Sequence, residues 1–183
     1  MSDIEHEARV LEVDPASVAT LILAKGGVRT TPDRLMRRYV YDITPGDHTR
    51  WVRLRDAGGE VTLTVKEIID DGISGTRETE VTVSDFETTN TLLGLLGYRP
   101  KSYQENRRES FVLDGVRLEI DRWPLIPPYL EIEGDTDSDV RRVAGVLGFR
   151  ESDLTGENTI KIYRWYGHDL NEIPELRFCG SSG

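Results

Sequence analysis

The sequence predicts an α+β fold, an antiparallel sheet or barrel with helices packed outside it. Three observations predict it. Strand-like segments outnumber helix-like ones by about three to one. Most are joined by hairpins, chiefly at Gly58-Gly59 and Asp114-Gly115. Each strand has one apolar and one charged face, and the helices offer apolar stripes to the apolar faces. The charged faces then look either to water or into a lumen, and periodicity does not separate the two.

Ile4 to Val10 alternates, with Glu5, Glu7 and Arg9 on one face and Ile4, Ala8 and Val10 on the other. Asp14-Pro15 opens a helix as N-cap and first position, Val18, Leu21 and Ile22 make its stripe, and Gly26-Gly27 ends it. A strand over Arg34 to Ile43 runs to a turn at Pro45-Gly46-Asp47. Trp51 to Arg55 puts Trp51, Arg53 and Arg55 on one face. Gly58-Gly59 then turns the chain into Val61 to Lys66, whose polar face holds Thr62, Thr64 and Lys66. After a loop at Asp70-Asp71-Gly72, Arg77 to Val83 is a strand with Glu78 and Glu80 on one side.

Ser84 with Glu87 predicts a capping box for a second helix, with Phe86, Leu92, Leu93, Leu95 and Leu96 as its apolar face and Gly97 as its stop. Tyr98 to Gln104 reads as a strand interrupted by Pro100. Arg107 to Leu113 and Val116 to Trp123 form a hairpin through Asp114-Gly115, with Glu119 and Asp121 on one face. Tyr129 to Glu133 is a strand with Glu131 and Glu133 paired like Glu5 and Glu7. Thr136 to Leu147 predicts a third helix, and Thr159 to Trp165 a last strand. The triplets Gly27-Val28-Arg29, Gly97-Tyr98-Arg99 and Gly148-Phe149-Arg150 read as one helix-stop solution used three times.

The 183 residues suit one domain over residues 1–179, with 180–183 as a flexible tail. A net charge of −10 argues against general binding to nucleic acid or a membrane surface, but leaves room for a local basic pocket. Cys179 is the single cysteine, so no disulfide framework or zinc knuckle is expected, and the three histidines lack ligand spacing. No apolar run approaches the roughly 18 residues of a membrane helix, and no signal peptide precedes the first strand. The expectation is a cytoplasmic protein.

The charges are sorted by strand. Acids come as Glu5/Glu7, Glu78/Glu80, Glu119/Asp121 and Glu131/Glu133, and bases as Arg53/Arg55, Lys66, Arg9 and Arg107/Arg108. A solvated face usually mixes signs, because like charges side by side gain nothing. Sorted signs suit a metal on one wall and a polyphosphate on the other. Mg²⁺ and Mn²⁺ take carboxylate and phosphate oxygens, and guanidinium grips phosphate at two points. There is no Gly-rich phosphate loop, so side chains would have to hold the phosphates.

The ordered set Glu5-x-Glu7-x-Arg9, Arg53-x-Arg55, Lys66, Glu78-x-Glu80, Arg108, Asp121 and Glu131-x-Glu133 resembles the CYTH superfamily, the triphosphate tunnel metalloenzymes. That family comprises class IV adenylate cyclases, thiamine triphosphatases and inorganic triphosphatases. The resemblance implies an antiparallel eight-stranded β-barrel whose tunnel binds a nucleoside or inorganic triphosphate with Mg²⁺ or Mn²⁺. It implies that Glu5, Glu7, Glu131 and Glu133 face the metal, with Asp121 close to it. Arg53, Arg55, Lys66 and Arg108 would hold the phosphates, and Arg9, Lys66 and Asp121 would serve catalysis. Glu78 and Glu80 would orient basic residues or touch a second metal or the base.

Two positions depart from the family pattern. The first motif usually ends in lysine, and here it ends in Arg9, which keeps the charge but closes any general-base role. Cyclases of the family tend to carry Lys-x-Arg ahead of the second hairpin, where this chain has Asn106-Arg107-Arg108, so that Asn106 replaces the lysine or Arg107 or Lys101 supplies its charge. The implied reaction is cyclisation of ATP to cyclic AMP and pyrophosphate, or hydrolysis of the triphosphate. A non-catalytic polyphosphate or nucleotide sensor is the alternative, and a homodimer stands beside the monomer as an expected state.

Overall fold

The computed structural model describes residues 3–47, 49–69 and 76–179, giving the backbone alone at residues 3–5 and 76. The expected loop at Asp70-Asp71-Gly72 and the tail 180–183 lie outside the described residues. In chain order the elements are β1 (Asp3–Val10), α1 (Pro15–Ala24), β2 (Val28–Asp42), β3 (Arg50–Asp56), β4 (Val61–Ile68) and β5 (Thr76–Val83). Then come α2 (Phe86–Leu95), β6 (Ser102–Leu113), β7 (Val116–Arg122), β8 (Tyr129–Gly134), α3 (Asp137–Val146), β9 (Leu154–Thr155), α4 (Thr159–Trp165) and β10 (Glu175–Leu176).

The eight long strands are antiparallel to their neighbours in the order β6-β2-β3-β4-β5-β1-β8-β7, and β7 pairs back onto β6. The two-residue strands bring the described total to ten. β9 lies beside Arg9 and Val10 of β1, and β10 lies parallel to Tyr103 and Gln104 of β6. The circuit is thinnest between β1 and β5, at three residue pairs.

Register decides what faces inward, because a one-residue slip would reverse every face. Arg9 stands opposite Glu131 and Glu7 opposite Glu133. Arg108 stands opposite Asp121, and Glu119 opposite Glu131. The apolar faces turn outward under the helices. Ala8, Leu118, Ile120, Leu130 and Ile132 pack with Ile22 of α1 and Val140 and Val143 of α3. Tyr41 and Leu54 pack with Phe86 and Leu93 of α2. Trp123 and Tyr129 pack with Ile162 and Tyr163 of α4.

The helix ends follow their sequence signals, with two shifts. Asp14 caps α1 by accepting from Ser17 N at 2.8 Å, and Thr136 caps α3. The cap of α2 is Asp85, one residue past the expected Ser84, accepting from Thr88 N at 2.7 Å. All three helices stop with a left-handed glycine followed by a residue whose N–H reaches back a full turn. The glycines are Gly26, Gly97 and Gly148, and the bonds run from Gly27 to Ile22, Tyr98 to Leu93 and Phe149 to Ala144. The repeat is therefore real as geometry, but Gly26 rather than Gly27 matches Gly97 and Gly148.

Three further expectations are corrected. The segment Thr159–Trp165 is helix α4, capped by Asn158. The buried neighbours Ile162 and Tyr163, with Tyr166 packed beside them, share one side at helical spacing. Ser102–Leu113 is one continuous strand, with Pro100 just ahead of it. On α2 only Phe86 and Leu93 of the expected apolar face are buried, while Leu92, Leu95 and Leu96 are exposed.

Candidate active site

The inward faces of the strands enclose a cavity of about 380 Å³. Among the described residues its lining holds nine cationic and nine anionic side chains, so the lining is balanced although the chain carries −10. The balance is local. Arg9 is buried between two carboxylates, with Nη2 at 2.9 Å from Glu7 Oε1 and 2.7 Å from Glu131 Oε2. Its Nη1 donates to the Glu157 carbonyl at 2.9 Å. Arg108 holds Asp121 at two points, reaches Glu131 at 3.1 Å and pairs with Glu119.

The opposite side is built alike. Arg53 Nη2 donates to Thr64 Oγ1, Glu78 Oε2 and Glu80 Oε2, each at 3.3 Å. Lys66 pairs with Glu78, and Arg55 Nη2 lies 3.8 Å from Glu80. Glu78 and Glu80 are thus both paired with basic side chains of the lining. Glu133 is held by Arg117. The charged side chains are interlocked within the lumen, each acid against a base on its own strand, the next one or the one beyond.

This electrostatic setting shifts the groups in opposite directions. Burial alone would raise the Glu131 pKa, but Arg9, Arg108 and Lys66 outweigh it and hold the carboxyl well below its usual 4.5. Burial likewise opposes the charge on Arg9, and Glu7 and Glu131 more than compensate. Arg38 and Arg55 go the other way, both to about 9. For Arg38 the cause is burial, then Arg53, Arg55 and Arg108; for Arg55 it is Arg53 first, then burial. Both remain charged at neutral pH, so the repulsion stays in the fold.

Of the expected site residues, Glu7, Arg9, Arg53, Arg55, Lys66, Glu78, Glu80, Arg108, Glu131 and Glu133 line this one cavity. The Glu5 side chain lies outside the described residues. Asp121 is fully buried behind Arg108 as the fixed partner of Arg108 and Asn106. The sequence reading missed Arg34, Arg38, Arg117, Trp123 and Tyr129 in the lining, and gave Glu119 no role. Arg38 was hidden by its neighbour. In the run Arg37-Arg38 one side chain points out to Asp56 and Glu87 and the other inward, and composition does not say which.

The donors for a cation are all carboxylate oxygens, the chemistry that Mg²⁺ and Mn²⁺ prefer. Each described carboxylate of that set is engaged by a guanidinium. Among the described residues no three His, Cys, Asp or Glu side chains are gathered to hold a metal ion. The donor set fits a hard cation in chemistry, and in this structure its oxygens are held by guanidinium groups. Among the described residues no helix is long and apolar enough to cross a membrane.

The CYTH domain model matches residues 35–151. No curated protein matches the chain. Among solved structures, a conserved hypothetical protein from Pyrococcus furiosus is 21% identical with a TM-score of 0.72, over 86% of this chain and 98% of that one. A candidate adenylate cyclase from Vibrio parahaemolyticus is 13% identical with a TM-score of 0.74, over 90% and 99%. A candidate adenylyl cyclase from Hippeastrum, described as having a dominant triphosphatase activity, is 18% identical with a TM-score of 0.55, over 94% and 100%. At these identities the likeness is one of fold. With the family model covering more than half of its length, the chain belongs to the CYTH domain family.

Proposed function

We propose that this chain is a metal-dependent enzyme that acts on a triphosphate held in the barrel. The observation that supports it best is the interlocked lining, in which Arg9, Arg53, Arg55, Lys66 and Arg108 meet Glu7, Glu78, Glu80, Glu131 and Glu133 around one cavity. A divalent cation entering with a triphosphate offsets part of its negative charge, and the cationic side chains meet the rest.

The phosphate oxygens are taken by Arg53, Arg55, Lys66 and Arg108, the arginines gripping at two points and the lysine as a point charge. Glu7, Glu131 and Glu133 would hold Mg²⁺ or Mn²⁺, with Glu5 as the further ligand expected from the motif; Glu7 and Glu131 would be freed by Arg9 and Arg108 turning toward phosphate, and Glu133 by Arg117. When bound, such an ion polarises a phosphoryl oxygen and neutralises its charge. Arg9 stabilises negative charge developing in the transition state, since a guanidinium does not accept a proton. Asp121 keeps the Arg108 fork in its plane.

Hydrolysis is the favoured reaction, because charged side chains line the whole register from Asp42 and Lys101 to Arg34 and Arg117, which suits a ligand charged along its length. Cyclisation of ATP is the second reading, favoured by Trp51, which lines the cavity and offers an aromatic face to a purine. A sensor without turnover would need the cations but has little use for Glu7, Glu131 and Glu133. Incubation with inorganic triphosphate and with ATP, each with Mg²⁺ or Mn²⁺, separates the three. Orthophosphate marks the hydrolase and cyclic AMP with pyrophosphate the cyclase, while tight binding without product contradicts both enzyme readings.

A further inference from the structure

We infer that Arg38, held by Asn106 and stacked on Trp123, is a phosphoryl-binding residue of this cavity, an inference that rests on the triphosphate reading above. Arg38 stands on the inward face of β2, opposite Gln104 of β6, and is buried. Its Nη2 donates to Asn106 Oδ1, and its guanidinium lies over the Trp123 ring, 4.6 Å from the centroid. The Asn106 amide is used at both ends, with Nδ2 donating to Asp121 Oδ1 at 3.1 Å. It therefore ties Arg38 to the Arg108–Asp121 pair without adding charge of either sign.

What this arrangement leaves over points to an anion. No carboxylate among the described residues makes an ion pair with Arg38, whereas Arg9, Arg53 and Arg108 each have at least one. Arg38 Nε is buried without an acceptor, and so is the neighbouring Trp123 Nε1. Both side chains line the cavity. Two buried N–H donors side by side, one on a cation, are complemented by an oxygen-rich anion. Burial first, and then Arg53, Arg55 and Arg108, push its pKa down, a cost that a ligand anion relieves. The Asn106 amide is the neutral group that lets Arg38 sit beside the Arg108–Asp121 pair.

The test is calorimetric titration of inorganic triphosphate with Mg²⁺ into the wild type, Arg38→Gln and Arg38→Lys, alongside thermal unfolding of each without ligand. Arg38→Gln is expected to weaken binding on the order of ten-fold or more, the scale of lost hydrogen bonds to a charged group. Its unfolding temperature is expected to stay level or rise, because a crowded cation has been removed. Arg38→Lys should keep part of the affinity. Binding by Arg38→Gln within about two-fold of the wild type would overturn the inference, since the lost bonds are charge-assisted. So would weakened binding with a lowered unfolding temperature in both variants, which is the signature of a structural role. If the wild type itself does not bind triphosphate, the underlying triphosphate reading fails and takes this one with it.

Discussion

Arg108 and Asp121 meet in a two-point ion pair, Nε to Oδ1 at 2.8 Å and Nη2 to Oδ2 at 2.6 Å, across the β6–β7 register. The carboxylate is fully buried, so the pair is a fixed part of the wall rather than a surface contact. Removing Asp121 takes the buried acceptor from both Arg108 and Asn106, and loss of one partner of a buried pair costs about 3–5 kcal/mol, here toward the lower end because Glu119 and Glu131 still hold Arg108. Asp121→Ala is therefore expected to lower the unfolding temperature by about 10 °C, at 2–4 °C per kcal/mol for a chain of this size. Differential scanning calorimetry checks it.

Acid should loosen the same wall. Glu131 is held well below its usual 4.5 by Arg9 and Arg108, against the effect of burial. A depressed folded-state carboxyl stabilises the protein above the unfolded value, and that contribution is lost as pH falls below it. The stability difference between wild type and Glu131→Gln should therefore be full near pH 6 and should shrink as pH drops below about 4.5. Urea midpoints measured from pH 6 to pH 3 give the result. A difference that stays constant over that range would contradict the ion-pair account.

Arg53 bonds Thr64, Glu78 and Glu80 from β4 and β5, and so sits at the centre of the basic side. Arg53→Gln is expected to reduce kcat/KM for the triphosphate by about 10²–10³, as for loss of one preorganised donor at developing charge. Steady-state kinetics test this, with Arg37→Gln as the control. Arg37 lies on the outer face of β2, paired with Asp56 and Glu87, and its loss should leave the rate unchanged.

Most of the fold was legible because period-two alternation and hairpin glycines are local signals. Asp114 and Gly115 both take positive φ, 49° and 82°, as the Asp-Gly pair requires of its turn. The site was legible through sign-sorted pairs such as Glu131 and Glu133. What alternation could not reveal was partnership. Glu7 and Glu133 are like-signed and opposite in register, yet each is neutralised by an arginine on a different residue pair, Arg9 and Arg117. Arg38 was illegible because Arg37 beside it carries the same charge. Helix α4 was expected as a strand because the packing that decides the matter comes from Trp123 and Tyr129, far off in the chain.

Tyr163 tests that last point. On α4 its hydroxyl donates to the Pro124 carbonyl at 2.6 Å, and its ring packs edge-on against Trp123. Tyr163→Phe keeps the ring and removes the bond, for an expected loss of about 1 kcal/mol. Chemical denaturation measures it. A strand in this segment would place Tyr163 away from Ile162, and the substitution would then change nothing.

The central claim is that the two interlocked sets of charges act together on a triphosphate. The direct measurement is a phosphorus NMR time course of inorganic triphosphate with Mg²⁺ or Mn²⁺, for the wild type and for Glu131→Ala, Glu133→Ala, with and without a chelator. The account predicts that the wild type converts triphosphate to orthophosphate and pyrophosphate only when metal is present, and that the double variant does not. Conversion that survives chelation, or that persists in the double variant, would contradict it.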